Sequence, residues 1–298
     1  MLIHSIESVV IDWSHQIQEV LKKDSSQPLL DGLNPGPLVE VEFWKAKCTN
    51  LENIYEQLRN PKTKKMAMLL EKTESSYFPA FKELFKETLD ALEEAQDIDI
   101  HLKPLSGHFE SLETTEFDEV SELFDPMFHA IGLLWANSKY YCRPTRMIVL
   151  LQEINNLVMK RAGEYLEPID LFKGEPDESI EKIKICSTAL ENYEKSYNTH
   201  KEKILSYFKN GLPPKDWEFS RNLVFARWDK FMERMEMIKA LFKTALEMLR
   251  LEKVEIGGVK GKALSARVVV IFEEFKTEFD KFSNKKYDPL DPESNVSS

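Results

Sequence analysis

The sequence predicts an all-α fold, arranged as elongated helical bundles in series, and three observations carry that expectation. Apolar residues recur at steps of three and four along most of the chain, the spacing that places side chains on one stripe of a helix. Only 10 of the 298 residues are glycine and 14 proline, too few for the many turns of a strand-rich protein. Charged residues make up 31% and hydrophobic ones 42%, a mixture that suits long amphipathic helices.

The first stripe is Ile3, Ile6, Val10, Trp13, Ile17 and Val20, and the second is Leu38, Val41, Trp44, Cys48, Leu51, Tyr55 and Leu58. Between them, SSQPLLDGLNPGPL gathers Pro28, Pro35, Pro37, Gly32 and Gly36, a loop that lets the two helices fold back on each other. A short helix is expected over Thr63 to Lys72. Ser75 or Ser76 then caps a helix that accepts Pro79 in its first turn and carries Phe78, Phe81, Phe85, Leu89 and Leu92. This helix is expected to fray into DIDIHLKPL and to end at Pro104. Helical spacing returns from Phe117 to Tyr141 with an interruption at Asp125-Pro126, and Pro144 opens a helix through Ile148, Leu151, Ile154 and Val158.

Glycine and proline mark a break at KGEP, 173 to 176, before a helix running from Ile180 through Leu190, Tyr193 and Tyr197 to Phe208. After the stop signal NGLPP, 210 to 214, a helix of about 35 residues carries Phe225, Trp228, Phe231, Met235, Ile238, Phe242 and Leu249. At 1.5 Å per residue it is roughly 50 Å long, which is the reason to expect an elongated shape. The last helix, Lys262 to Phe282, contains the β-leaning run Val268-Val269-Val270, yet Leu264, Val268, Ile271, Phe275, Phe279 and Phe282 keep helical spacing. The expected division is a first bundle over 1–170, a second over 171–283, and a disordered or truncated tail over 284–298.

Charge and composition narrow the function. The net charge is −11, from 51 acidic against 40 basic residues, which opposes nonspecific binding to nucleic acid and adhesion to anionic membranes. Three widely spaced cysteines, Cys48, Cys142 and Cys186, fit a reduced compartment. The start, MLIHSIESVVIDW, lacks the basic head and continuous apolar stretch of a signal peptide, so a soluble intracellular protein is expected, without cofactor or metal.

The stretch VEIGGVKGKALS invites comparison with a phosphate-binding loop, G-x-x-x-x-G-K-[ST]. It fails: the fifth residue before Gly261 is Ile256, Gly257 and Gly258 leave the loop too short, and Ala263 after Lys262 cannot ligate Mg²⁺. A helix end, a tight turn at Gly257, Gly258 and Gly261, and a new helix near Lys262 is the simpler reading. Asp97, Asp99 and His101 alternate as metal ligands would on an extended segment, but a solvated acidic helix end explains them as well. Cys142 beside Arg143 suggests an activated thiol, against the plainer reading of a structural cysteine. Trp44, Trp135, Trp228 and Phe242 are the candidate packing residues; aromatics at helical spacing are most often core and otherwise line a seam for a partner helix. KTKK, 62 to 65, is the densest basic cluster of the first half, usually a wet helix face and otherwise a partner for acidic groups.

Four ordered segments resemble one family: GPLVEVEFWKAKCTNLENIYEQL (36 to 58), YFPAFKELFKETLDALEEAQDIDIHLKPL (77 to 105), MFHAIGLLWANSKYY (127 to 141) and the run from ARWDKF to VVVIFEEF (226 to 275). The chain looks like the N-terminal tail region of dynein heavy chains, most like the axonemal, outer-arm beta type. The resemblance implies a non-catalytic segment of a microtubule motor complex in the ciliary or flagellar axoneme. It also implies intermediate and accessory chains and other heavy chains as partners, and a chain bounded by Met1 and Ser298 that is a piece or a short product. It places the ATP sites of the family far downstream and makes Gly257, Gly258 and Gly261 a turn of the tail. Because microtubule surfaces are acidic, the excess negative charge implies indirect attachment to them. The rival expectations are a stand-alone helical adaptor or tether and, on GGVKGK alone, a nucleotide-binding enzyme.

Overall fold

The computed structural model describes residues 2–208, 213–217, 219–252, 257–283 and 290. The described residues contain helices and no strand: α1 Leu2–Leu21, α2 Gln27–Leu30, α3 Pro37–Arg59, α4 Pro61–Lys72, α5 Phe78–Leu102, α6 Ser106–Thr114, α7 Ser121–Asn137, α8 Pro144–Leu166, α9 Pro168–Leu171, α10 Pro176–Glu202, α11 Arg221–Glu252 and α12 Gly258–Ser283. Starts are set by local chemistry. Pro37, Pro61 and Pro144 occupy first-turn positions where a missing N–H costs nothing, and the Asn60 side chain accepts a hydrogen bond from Lys62 N to cap α4.

These helices form two compact units. The first comprises 1–110, 129–154 and 200–218; the second comprises 111–128, 155–199 and 219–298.

In the first unit α3 lies along α5, and α1 and α4 close over them around Val10, Ile17, Leu58, Leu70, Phe81 and Leu84. A second apolar group includes Ile131, Trp135, Met147, Leu150, Leu151 and Ile154, all buried. Gly132 makes room for the Tyr207 ring: a Cβ on it would meet the ring at 2.7 Å and force it to shift. In the second unit the core is aromatic. Phe124, Phe128 and Trp228 surround Tyr193 with ring centroids 4.8–5.1 Å away, and Phe172 packs on Phe242 at 5.1 Å.

Several boundaries differ from the sequence expectation. α5 does not fray at DIDIH: it continues to Leu102 because Ile98 and Leu102 are buried, and Pro104 then sits in a 3₁₀ turn, Lys103–Leu105, leading into α6. Its core line is Phe81, Leu84, Thr88, Leu92 and Ala95, which leaves Leu89 40% exposed. Ser75 does not cap α5 directly; Tyr77 holds the cap position, and Ser75 Oγ instead donates to Glu7 at 2.7 Å. Pro126 does not interrupt α7. It is the sixth residue of that helix, so the only donor it removes is the one that would reach Glu122 O.

α10 stops at Glu202 and Ile204 lies in a separate 3₁₀ turn, short of Phe208. α11 has 32 residues, and α12 starts at Gly258, four residues before Lys262, with φ +82° at that glycine. α12 is helical through the valine run, but it buries Phe272 and leaves Leu264 and Ile271 each 50% exposed. Residues 210–212 of the stop signal, residues 254–256 before the glycine turn, the side chains of Phe279 and Phe282, and the tail over 284–298 apart from Leu290 lie outside the described residues.

Candidate functional site

A buried polar arrangement in the first unit grows from α3. Its buried stripe places Glu40 four residues before Trp44, so the carboxylate and the indole lie on the same inward face. Glu40 is 1% exposed. Its Oε1 accepts hydrogen bonds from Trp44 Nε1 at 3.3 Å and from the Tyr141 hydroxyl at 2.7 Å. Tyr141 is positioned by a tight turn: Asp97 accepts from Ser138 Oγ at 2.5 Å and from Tyr140 N at 3.1 Å, and Ser138 Oγ accepts from Tyr141 N at 2.9 Å. Asp97 is therefore a structural tie, and with Asp99 and His101 on helix α5 the extended metal-ligand alternation is not formed. No group of three His, Cys, Asp or Glu side chains is set to hold a metal among the described residues.

Glu153, on α8, faces Glu40 and is fully buried. Glu40 Oε2 and both oxygens of Glu153 have no other partner. Two carboxylates cannot both be ionised there, because burial removes the water that would solvate them and each repels the other. The proton belongs to Glu153, whose carboxyl is pushed up to about 11 by burial first and by the Glu40 charge second. Glu40 is also raised, by burial. The hydrogen bonds from Tyr141 and Trp44 and the positive charge of Arg146 act in the opposite direction and make it the member that carries charge. Arg146 donates to Glu94 at 2.6 Å and to Tyr140 O at 2.7 Å, and lies 5.0 Å over the Trp44 ring. A polar cavity of about 390 Å³ opens beside Glu40 and is lined in part by Trp44, Lys47, Glu94 and Arg146.

The second unit is held by a neutral counterpart. The Tyr193 hydroxyl donates to Asn155 Oδ1 at 2.7 Å, and Asn155 Nδ2 donates to Val224 O at 2.9 Å. Burial drives the Tyr193 phenol well above its ordinary range, so it stays a neutral donor. Arg221, at the start of α11, donates to Glu194 of α10 at 2.7 Å and is held in place by Asp229 of its own helix at 2.8 Å.

The residues singled out from sequence fall as follows. Trp44 belongs to the Glu40 cluster. Trp135 is fully buried, donates to Lys215 O at 2.8 Å and meets Trp217 edge-on. Trp228 is stacked on Tyr193, and Phe242 packs on Phe172. Gly257 and Gly258 lie at the opening of α12 and Gly261 is buried within it, preceded by helix α11 through Glu252, where a phosphate loop needs a strand. None of the three thiols is activated. Burial raises Cys48 to about 11 and Cys186 to about 12, and it raises Cys142 as well.

Sequence reasoning missed Glu40, Glu153, Tyr141 and Asn155. Glu40 had a signal, since it interrupts an apolar stripe between Pro37 and Trp44; Glu153 likewise lies between Leu150 and Leu157. The chemistry these groups support is tethering. They fix helices by shared protons and charge-assisted hydrogen bonds.

The described residues thus form helices without strands, with buried polar ties inside each unit. The chain belongs to the dynein heavy chain family: residues 3–296 match the region described as "Dynein heavy chain, N-terminal region 1". It is 50% identical over 291 residues to the ciliary dynein beta chain of Heliocidaris crassispina, covering 98% of this chain and 6% of that protein. Identity is 45% over 289 residues to human dynein axonemal heavy chain 9 and 38% over 291 residues to the flagellar outer arm dynein beta chain of Chlamydomonas reinhardtii. Each match covers 97% of this chain and 6% of the relative. The chain thus spans a small fraction of the length of these relatives and corresponds to their N-terminal region. Among the described residues no helix is long and apolar enough to cross a membrane.

Proposed function

We propose that this chain serves as a non-catalytic tail module of an axonemal dynein heavy chain, working in the cilium or flagellum. Its role is that of a semi-rigid platform on which heavy chains pair and intermediate or accessory chains are held. The observation that carries the reading is the match to the N-terminal region over nearly the whole chain, with ciliary and flagellar heavy chains as the relatives. The buried ties described above suit this role, because a platform transmits load only if its helices do not slide. Attachment to microtubules is indirect: a chain of net charge −11 is repelled by an acidic lattice unless a partner bridges them.

Affinity capture from a salt extract of axonemes, with the bound chains identified by mass spectrometry, tests the proposal. Recovery of dynein intermediate chains together with another heavy chain is expected. Recovery of neither, or tight cosedimentation of the purified chain alone with bare microtubules, contradicts it.

A further inference from the structure

The first unit carries an apolar groove that the ties described above do not use. It lies where the end of α3, the start of α4 and the first turns of α5 converge, with a volume of about 230 Å³. Leu58, Ala67, Phe78, Phe81 and Phe85 supply hydrocarbon surface to it. Leu58 and Phe81 are buried, whereas Ala67, Phe78 and Phe85 remain partly open to solvent. Small-molecule sites usually run from about 300 Å³ upward with several convergent polar groups. This groove is smaller and its walls are mostly hydrocarbon, with polar ends only at its edge, which suits one or two inserted side chains rather than a free metabolite. On α4, Met68 and Leu69 are also exposed, at 59% and 46%.

Its charge is the second observation. Lys64 and Lys82 line the groove, and no carboxylate does. Lys62 and Lys65 flank Lys64 on α4, and none of these four ammonium groups has an ion-pair partner among the described residues. α4 has no acidic residue in its first turn, so Lys62 and Lys64 stand at the positive end of the helix dipole, where cations are disfavoured and an incoming carboxylate is welcome. In a chain with eleven excess negative charges, an apolar groove edged by unpaired lysines selects for an acidic partner.

We propose that this groove is a docking site for an acidic amphipathic helix of a partner protein, whose Leu or Phe side chains enter between α4 and α5 while flanking Glu or Asp side chains meet Lys64 and Lys82. This deepens the platform reading, on which it rests, by locating one binding surface and stating the partner's chemistry.

The test uses the full 298-residue chain and a fluorescein-labelled synthetic helix with a Leu/Phe stripe flanked by glutamates, read by fluorescence anisotropy. Saturable binding is expected, weakened by added salt. It should be at least about tenfold weaker in the double variant Lys64→Glu/Lys82→Glu, and also in Ala67→Trp, which fills the groove. Far-ultraviolet dichroism and melting curves establish that both variants fold. Absence of binding to the wild-type chain overturns the proposal, as does unchanged binding by the two folded variants or equal binding of a lysine-flanked version of the helix. Concentration-dependent self-association that the double variant abolishes would assign the groove to a second copy instead. If axonemal intermediate chains are captured equally by wild type and double variant, the groove assignment fails while the platform reading stands; if neither captures them, the platform reading itself fails.

Discussion

The two units solve the same problem, joining helices through buried polar groups, with different chemistry. The first uses a titratable pair, Glu40 and Glu153, fed by Tyr141 and Trp44. The second uses a neutral pair, Asn155 and Tyr193, inside a ring of aromatic contacts. A neutral tie keeps its strength wherever the protein folds. A carboxyl pair holds only while one member keeps its proton, so this tie gives the first unit a pH-dependent core.

Breaking the aromatic side of this comparison should have the largest effect. Trp228→Ala removes the ring stacked on Tyr193 and is expected to cost about 3–5 kcal/mol in urea unfolding, with the same loss at pH 6 and pH 8.5. Tyr141→Phe should follow at about 1.5–3 kcal/mol, because it deprives a charged acceptor of the shorter of its two hydrogen bonds. Its cost should grow from pH 6 to pH 8.5, since the stranded Glu40 carboxylate is harder to keep ionised.

Glu153→Gln sharpens the comparison with the opposite sign. The Glu153 carboxyl is raised from an ordinary value near 4.5 to about 11, so above the lower value the folded state holds a proton that the unfolded chain has released. Stability of the wild type therefore falls as pH rises through that window. The amide of Gln donates to Glu40 without a proton to lose, and melting curves should show little change near pH 5 and a gain of about 1–2 kcal/mol near pH 8.5. Tyr193→Phe is the smallest change, about 1 kcal/mol and flat across the same pH range, since a neutral hydrogen bond is lost.

Much of the helical framework was legible because burial follows a period that sequence displays directly. Val41, Trp44, Cys48 and Leu51 share a stripe and are buried together. What was not legible depended on distant groups. Pro104 does follow the end of α5, but Ile98 and Leu102 keep the helix intact through the expected fraying point; Pro126 reads as a break, yet it lies near enough to the start of α7 to lose a single bond. Glu40 and Glu153 each look like one polar residue in an apolar stripe, and their meeting is set by how α3 and α8 pack, which no local pattern encodes. Leu264 and Ile271 show the converse: spacing told which residues of α12 share a face and left open whether that face is covered.

Sedimentation velocity of the purified chain mixed with a purified outer-arm dynein intermediate chain tests the central claim most directly. The platform account predicts a faster-moving complex of defined stoichiometry at micromolar concentration. Two species sedimenting as they do alone, across the same concentrations, would contradict it.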